Sequence, residues 1–395
     1  MKWYIKDFFN VYWGIIFQFL NEEEFVKIGK ANKITYNFCI HIAKRFIKIS
    51  IEKNLEKRFF HLKFEKFSLF NNPIQIMSDL RHDFDELLLI GGYDINHCSS
   101  KNIFKLNIRD NKIIFKNYTP MIKARVFSSL IFHENQIIVI SSDFYTGCGT
   151  VEWFDIFSQK WILMNSILPN RLHHTTASIF DNKIFVFGGA IKISYGWIHS
   201  DKIYVLEKNS QTWNLFSHLS EARVYASSIF YQDNFYICGG QNRGNEPQKS
   251  VEIFNPITRL IRRENMNKAR INPHLCIYED ELYAIGGEKS NIENLTIEKR
   301  DKITKKWEIL ATLNEDRYLC SISLIGSKIY IFGGGYNEEN FSNRYIWNYY
   351  DILNKIWASQ FLPIKDRIMK ESIYGSSSIV KPMSKPGICE FYSIF

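Results

Sequence analysis

The sequence predicts a mainly β protein, a β-propeller preceded by a small α-helical domain, and three repeated features lead to this prediction. An eight-residue frame recurs six times at a period of about fifty residues, at 106–113, 154–161, 206–213, 254–261, 300–307 and 350–357. A strand-like run ending in Gly-Gly precedes five of the six frames, and an arginine follows every frame. A repeat of this kind is typical of propellers, in which each repeat forms one blade.

The glycine pairs and the last residue of each frame are predicted to be structural. A strand must end abruptly at each pair, where close packing leaves no room for a Cβ atom. The pairs are Gly91 and Gly92, Gly188 and Gly189, Gly239 and Gly240, Gly286 and Gly287, and Gly333 and Gly334, and Ser141 and Ser142 replace them in the remaining copy. The frame ends in Trp161, Trp213, Trp307 and Trp357, with Ile113 and Ile261 in the other two copies. These side chains are predicted to fill the wedge between neighbouring blades.

The third copy illustrates one predicted blade. A short apolar run at 177–180 is followed by the turn signal Asp181-Asn182 and by the strand IFVF at 184–187. After a loop come the strand KIYVL at 202–206, a turn at Asn209-Ser210 and a last strand opening at Trp213. Four short strands joined as a meander form one propeller blade.

Taken together, the Gly-Gly pair, the aromatic-Asp-like pair, the tryptophan and the arginine resemble the kelch repeat over residues 75–380. Arg300 departs from the pattern because it stands where the other frames carry an apolar residue. The resemblance implies a six-bladed kelch-type β-propeller. The segment 371–380 is predicted to complete the first blade and to close the ring, and a seven-bladed ring is the alternative.

Charge and cysteine content narrow the choice of compartment and partner. The 395 residues carry a net charge of +9, of which residues 1–66 hold +6 with 13 basic and 7 acidic side chains, so the repeats are nearly neutral. A surface that tracks phosphates needs clustered charge, and no run reaches the length of a membrane span, so neither nucleic acid nor membrane is an expected partner. The seven cysteines are scattered singly, which favours buried reduced thiols and a cytoplasmic protein, with the nucleus as the alternative.

No pattern in the chain indicates catalysis, a cofactor or a metal. Phosphate-binding loops, nucleophile elbows and zinc-protease motifs are absent. His173 and His174 are the only adjacent histidines, and neighbours in a strand point to opposite faces. A copper-radical oxidase can use a propeller, but nothing marks its Tyr/His ligands and cross-linked cysteine. The sequence therefore predicts a non-catalytic protein.

The N-terminal segment is predicted to form three short helices over residues 1–50, followed by a helical linker at 51–75 and the propeller at 76–395. Asn21 and Glu24 have the spacing of a capping box. The stretch IIFQFLNEEEFVKIGKANK at 15–33 resembles an F-box, although the usual Leu-Pro opening is missing. The resemblance implies docking on a Skp-type adaptor, with adaptor-binding residues Ile16, Phe17, Leu20 and Phe25. A helical cap packed on the propeller is the alternative.

The arginines after the frames are the main candidates for ligand binding. Arginine suits this role because its planar fork binds carboxylates bidentately. The predicted client-binding rim consists of Arg125, Arg171, His173, Arg223, Tyr225, Arg270, Arg317, Tyr318 and Arg367. The alternative is that these arginines brace the loops by binding backbone carbonyls, with two or three left for a ligand.

The resulting functional hypothesis is a substrate-recognition subunit of an SCF-type cullin–RING ubiquitin ligase. In it the F-box-like helices bind the Skp-type adaptor and the kelch propeller binds a client protein through an acidic segment. The alternative is a kelch-repeat interaction scaffold, cytoskeletal or signalling, without a connection to a ligase.

Overall fold

The computed structural model describes residues 86–92, 98–109, 112–133, 136–141, 149–156, 158–194, 196–207, 210–287, 295–312, 320–332, 346–361 and 377–381. All of these residues belong to one unit of the fold, residues 85–395. The predicted F-box-like helices and linker at residues 1–75 lie outside the described residues.

The described part of the chain is almost entirely β-structure. In chain order the first strands are β1 (Glu86–Ile90), β2 (Ile103–Arg109), β3 (Lys112–Asn117), β4 (Ser129–His133), β5 (Gln136–Ile140), β6 (Thr150–Asp155), β7 (Lys160–Ile167), β8 (Thr176–Phe180) and β9 (Lys183–Phe187). They are followed by β10 (Ala190–Ile193), β11 (Gly196–His199), β12 (Lys202–Leu206), β13 (Asn214–His218), β14 (Ser227–Tyr231), β15 (Asn234–Cys238), β16 (Gln248–Phe254) and β17 (Ile261–Arg270). The last strands are β18 (His274–Tyr278), β19 (Glu281–Ile285), β20 (Thr296–Arg300), β21 (Trp307–Thr312), β22 (Ser321–Ile325), β23 (Lys328–Phe332), β24 (Ile346–Asp351), β25 (Ile356–Phe361) and β26 (Ser377–Lys381).

These strands form antiparallel four-stranded sheets in the arrangement of a propeller. The second, fourth, fifth and sixth sheets are meanders of consecutive strands, β4–β7, β14–β17, β18–β21 and β22–β25. The third sheet is β8-β9-β12-β13, and the hairpin β10-β11 is inserted between its second and third strands. The first sheet is β26-β1-β2-β3, so the last strand of the chain pairs with the first.

The first strands of successive sheets lie against one another around a ring. Contacts run from β26 to β4, β8, β14, β18 and β22 in turn, and β22 contacts β26 again. Small hydroxyl side chains on β8 and β14 bind one another across two sheets, as between the hydroxyls of Thr176 and Ser228 at 2.9 Å. Small residues are required there because the strands converge towards the axis of the ring.

The eight-residue frame forms the turn between the third and fourth strands of a sheet. Its second residue is Asp or Asn in every copy except the third, which has Glu207. At Asn255, Asp301 and Asp351 the side-chain oxygen accepts the backbone N–H groups two and three positions later. The distances to the N–H three residues on are 2.8 Å at Asn255, 2.6 Å at Asp301 and 3.2 Å at Asp351. This arrangement is an Asx turn, which explains why short acceptor side chains recur at this position.

The tryptophans at the end of the frame lie in the cores between consecutive sheets. Trp307 on β21 is buried in a cluster that joins Tyr236 and Val251 of the fourth sheet to Leu282 of the fifth sheet. Its indole N–H donates to the Glu264 carboxylate on β17 at 2.8 Å. Trp161, Trp213 and Trp357 belong to or pack against the corresponding clusters of their own sheets.

The four glycine pairs in the described part of the chain have positive φ angles where two sheets approach closely. Gly188 has φ +62°, and a Cβ atom there would collide with the carbonyl oxygen of Arg223. Ser141 stands at the matching place in the second sheet with φ +59°. Its hydroxyl donates to the Leu172 carbonyl at 2.7 Å. The serine side chain is therefore accommodated by a hydrogen bond at the place where the other sheets have a glycine without a side chain.

Candidate functional site

Arg223 joins the third sheet to the fourth and is almost completely buried. Its guanidinium Nη2 lies 2.6 Å from the carboxylate of Glu252 on β16, and its Nη1 donates to the Gly239 carbonyl at 3.0 Å. Its own carbonyl accepts the N–H of Gly189, which follows β9, at 2.9 Å. The side chain therefore binds one sheet while the backbone binds the preceding one.

Two further arginines make the same three contacts, and we call the three arginine–glutamate pairs the clamps. The Arg125 side chain contacts the Glu152 carboxylate at 2.7 Å and the Ser141 carbonyl at 2.6 Å, and the Arg125 carbonyl accepts the Gly92 N–H at 2.8 Å. The Arg270 side chain contacts the Glu298 carboxylate at 2.8 Å and the Gly286 carbonyl at 2.5 Å, and the Arg270 carbonyl accepts the Gly240 N–H at 2.7 Å. Each glutamate also accepts a backbone N–H from the chain that leads to its arginine, as Glu252 does from Ser220 at 2.7 Å. The clamps thus fix the connections between sheets.

The prediction that Arg125, Arg223 and Arg270 line a client-binding rim is wrong. All three side chains are buried, and their donors bind a buried glutamate and strand-end carbonyls. Burial lowers the pKa of Arg125, and the charge and hydrogen bond of Glu152 oppose this change. A buried arginine needs a partner of this kind because an isolated charge is strongly disfavoured in the protein interior. These arginines are the loop braces of the alternative hypothesis.

The third sheet lacks a clamp. Leu172 lies four residues before β8, as the clamp arginines lie four residues before β4, β14 and β18, and Arg171 is displaced by one position and exposed. Tyr204 on β12 pairs with Val186 in the register that Glu252 has with Ile237. Leu172 and Tyr204 share a hydrophobic cluster, so an apolar pair replaces the ionic one.

The amino-acid sequence carries a signal that indicates the clamps. The clamp glutamate always stands two residues before the eight-residue frame, at Glu152, Glu252 and Glu298. The same position is Phe104 in the first sheet and Asn348 in the sixth. Glutamate at this position together with arginine before the next first strand would have indicated a buried pair.

Phe127, His174 and Tyr225 converge from the second, third and fourth sheets, and we call them the aromatic cluster. The ring centroids of His174 and Tyr225 are 4.2 Å apart, and Phe127 lies 5.9 Å from each. All three residues stand two positions before a first strand in the left-handed conformation, with φ of 52°, 49° and 53°. The Tyr225 N–H donates to the His174 carbonyl at 3.2 Å, which links the two sheets.

His174 of the aromatic cluster and the adjacent His173 are both neutral at physiological pH. Burial lowers the pKa of His174 to about 3, and the neighbouring His173 lowers it further. Burial, His199 and Lys192 lower the pKa of His173 to about 4. The expectation that His173 and His174 point to opposite faces of a strand is wrong, because they precede β8 and their rings lie 4.6 Å apart.

The inserted hairpin β10-β11 carries exposed apolar side chains next to the aromatic cluster. Trp197 and Ile198 are 42% and 49% exposed, and Ile193 is 42% exposed. The Trp197 ring lies 4.5 Å from the buried His173 ring, and the Lys192 ammonium lies 5.6 Å from the Trp197 ring. The sequence predicted only a loop for this segment, although Ile191 and Ile193 alternate with polar residues as in a strand.

Other predicted site residues lie outside the described part of the chain. They are Ile16, Phe17, Leu20, Phe25, Arg317, Tyr318, Gly333, Gly334 and Arg367.

Among the residues described, no group of three His, Cys, Asp or Glu side chains could hold a metal ion. A search of the same residues for a helix long and apolar enough to span a membrane finds none. Cys238 and Cys276 are free buried thiols whose pKa burial raises.

Antiparallel four-stranded sheets in a ring, with Gly-Gly strand ends and inter-sheet tryptophans, define a kelch-type β-propeller. A family model described as the KLHDC2/KLHL20/DRC7 Kelch-repeats domain matches residues 129–334. This match covers more than half of the chain, and the chain therefore belongs to this family of kelch-repeat proteins.

Three curated relatives share parts of the chain. Spermatocyte protein spe-26 of Caenorhabditis elegans is 23% identical over 51% of this chain and 36% of its own length. Kelch repeat and BTB domain-containing protein 2 of cowpox virus is 30% identical over 33% of this chain and 23% of its own length. A RING finger domain and kelch repeat-containing protein of Dictyostelium discoideum is 24% identical over 57% of this chain and 22% of its own length. The chain thus spans less than half of each relative.

Proposed function

We propose that this protein is a non-catalytic recognition subunit that binds a client protein through its propeller. The observation that carries the proposal is a surface on which the exposed apolar side chains of the hairpin β10-β11, Ile193, Trp197 and Ile198, lie beside the half-buried aromatic cluster. Exposed apolar groups of this kind are typical of interaction sites. The clamps support the proposal because they hold the sheets that carry this surface in fixed positions.

The propeller is proposed to be six-bladed and closed by its C-terminal strand. The pairing of Ser378 on β26 with Leu89 on β1 supports this closure, as does the packing of β26 against both β4 and β22. Closure removes the free sheet edges that an open array would leave. A chain truncated before Ser377 should then unfold at a clearly lower denaturant concentration than the full chain. An unchanged midpoint would contradict closure.

The finer proposal is that the chain links its client to an SCF-type cullin–RING ubiquitin ligase. Its support is the F-box resemblance at residues 15–33, in which Ile16, Phe17, Leu20 and Phe25 are the adaptor-binding residues. Two of the relatives carry a second named domain, BTB or RING finger, beside kelch repeats. A kelch propeller joined to a module with another role is therefore an established combination among the relatives.

The test is co-purification of the full chain with a Skp-type adaptor. The proposal predicts a stoichiometric complex that Leu20→Asp and Phe25→Asp abolish. The matched control is Ile303→Asp, a change of the same kind at a propeller turn where the side chain is 82% exposed. If no complex forms with a folded chain, or if the control abolishes it equally, the ligase assignment fails. A kelch interaction scaffold would then be the better account.

A further inference from the structure

The hairpin β10-β11 is an insertion that interrupts the third sheet, in which Leu172 and Tyr204 replace the clamp. It leaves the sheet directly after Gly189 and returns at Ser200. An isolated two-stranded hairpin is at best marginally stable in water. This one is anchored by a bridge between Ala190 and His173 and by Ile191, which packs against the core. Its base is therefore fixed, and its outer half reaches the surface.

Both faces of the outer half present apolar groups. Lys192 pairs with Trp197 on one face, and Ile191 pairs with Ile198 on the other, where Ile193 also lies. A solvated hairpin normally carries polar side chains on at least one face. Exposed apolar side chains on both faces favour contact with a partner over contact with water.

The charges around the hairpin are mainly positive. Lys192 and Arg243 are both exposed, and Arg243 lies in the turn at residues 241–247, whose shape is fixed by the Asn242 side chain accepting the N–H groups of Gly244 and Glu246. Burial lowers the pKa of His199, and the nearby charge of Arg243 lowers it further. A hydrogen bond with the Asn242 backbone has the opposite effect on this pKa but is outweighed. The one carboxylate of this turn, Glu246, lies 3.4 Å from the Asn242 amide nitrogen.

We infer that the hairpin is the recognition element of the propeller and that it binds an acidic segment of a client chain through a large apolar side chain. The apolar side chain would lie on Trp197, on the face of the hairpin that Lys192 shares, and flanking carboxylates would bind Lys192 and Arg243. The inference rests on the proposed function of the propeller as a client-binding module. It assigns to the hairpin the contact that the buried clamp arginines do not make.

The experiment is selection of a phage-displayed random-peptide library on the full chain, followed by titration of the enriched peptides. The inference predicts peptides in which an aromatic or aliphatic residue is flanked by Asp or Glu. Trp197→Ser, and separately Lys192→Glu with Arg243→Glu, should each weaken binding by tenfold or more, about 1.4 kcal/mol. The control Ile303→Ser with Lys305→Glu, at an exposed turn, should leave the affinity unchanged.

The outcomes separate this inference from the proposed function. Enriched peptides that bind the hairpin variants with unchanged affinity would overturn the inference and leave the propeller as a binding module that uses another surface. Enrichment of basic or purely apolar peptides would also overturn it. If no peptide is enriched, the inference fails, whereas adaptor binding by the full chain would still support the ligase assignment. Thermal unfolding of each variant establishes that a lost affinity is not a lost fold.

Discussion

The first three strands of the third and fourth sheets pair in the same register, but different side chains join each sheet to the preceding one. In the fourth sheet Arg223 and Glu252 form a buried ionic clamp, whereas in the third sheet Leu172 and Tyr204 fill the same positions as an apolar pair. The third sheet also carries the inserted hairpin and contributes His174 to the aromatic cluster. The comparison teaches that a buried clamp and an apolar pair can each join two sheets, and that the apolar pair of the third sheet accompanies an inserted hairpin.

The largest expected effect comes from removing one partner of a clamp. Glu252→Ala leaves the Arg223 guanidinium buried without its carboxylate and removes the acceptor of the Ser220 N–H. We expect a loss of about 3–5 kcal/mol in the free energy of unfolding, measured by urea denaturation. Glu246→Ala, on an exposed turn, is the control and should change stability little. Similar losses in the two variants would show that the clamp contributes nothing special.

A smaller loss is expected where a strand end approaches the next clamp. Gly188→Ala places a Cβ atom against the Arg223 carbonyl and forces alanine into the left-handed region. The strained backbone alone should lower the free energy of unfolding by about 1–3 kcal/mol, and the collision should lower it further. Gly196→Ala in the hairpin is the control, because its φ is also positive but no atom lies within 4 Å of the added Cβ. Equal melting temperatures for the two variants would contradict the close approach.

Acid should weaken the fold around the aromatic cluster. His174 and His274 have pKa values of about 3, well below the ordinary value of 6.5, because burial disfavours their charged forms. The unfolded chain therefore binds protons first as the pH falls, so the stability present above pH 6.5 is lost between about 6.5 and 3. His174→Phe should reduce this loss, and His218→Gln, at an exposed histidine, should not. Urea midpoints at several pH values measure the slope, and a slope unaffected by His174→Phe would contradict the assignment.

The smallest effect is expected at the serine that replaces a strand-end glycine. Ser141→Gly removes a hydrogen bond to the Leu172 carbonyl but relieves the positive φ of a non-glycine residue. These two changes oppose each other, so the net change in unfolding free energy should be below about 1 kcal/mol. A large loss on thermal unfolding would show that the serine hydroxyl is essential to this junction.

The propeller could be predicted from the sequence because its signals are local. The Asx turn at Asp301, the left-handed glycine at Gly188 and the inter-sheet Trp307 each depend on the type of residue at one position. The predicted strand at 202–206 agrees with β12 (Lys202–Leu206). Local chemistry repeated at a fixed period is sufficient to identify such a fold.

The role of the arginines could not be predicted in the same way. Whether Arg223 is buried depends on Glu252, which lies 29 positions away in sequence and faces it only once the sheet has formed. An arginine also follows the frame before β8, but this residue, Arg171, lies one position too early in the chain, so Leu172 takes the buried position. The sequence predicts a loop where the hairpin lies, because the hairpin has no counterpart in the regular four-strand repeat.

The most direct test of the clamps replaces the ionic pair of the fourth sheet by the apolar pair of the third. Arg223→Leu and Glu252→Tyr are made singly and together, so that the double variant carries the apolar pair of the third sheet. The account predicts that each single change destabilises the fold strongly in urea and that the double variant recovers most of the loss, because no buried charge then remains unpaired. Strictly additive losses would contradict it and would show that the two side chains do not act as a clamp.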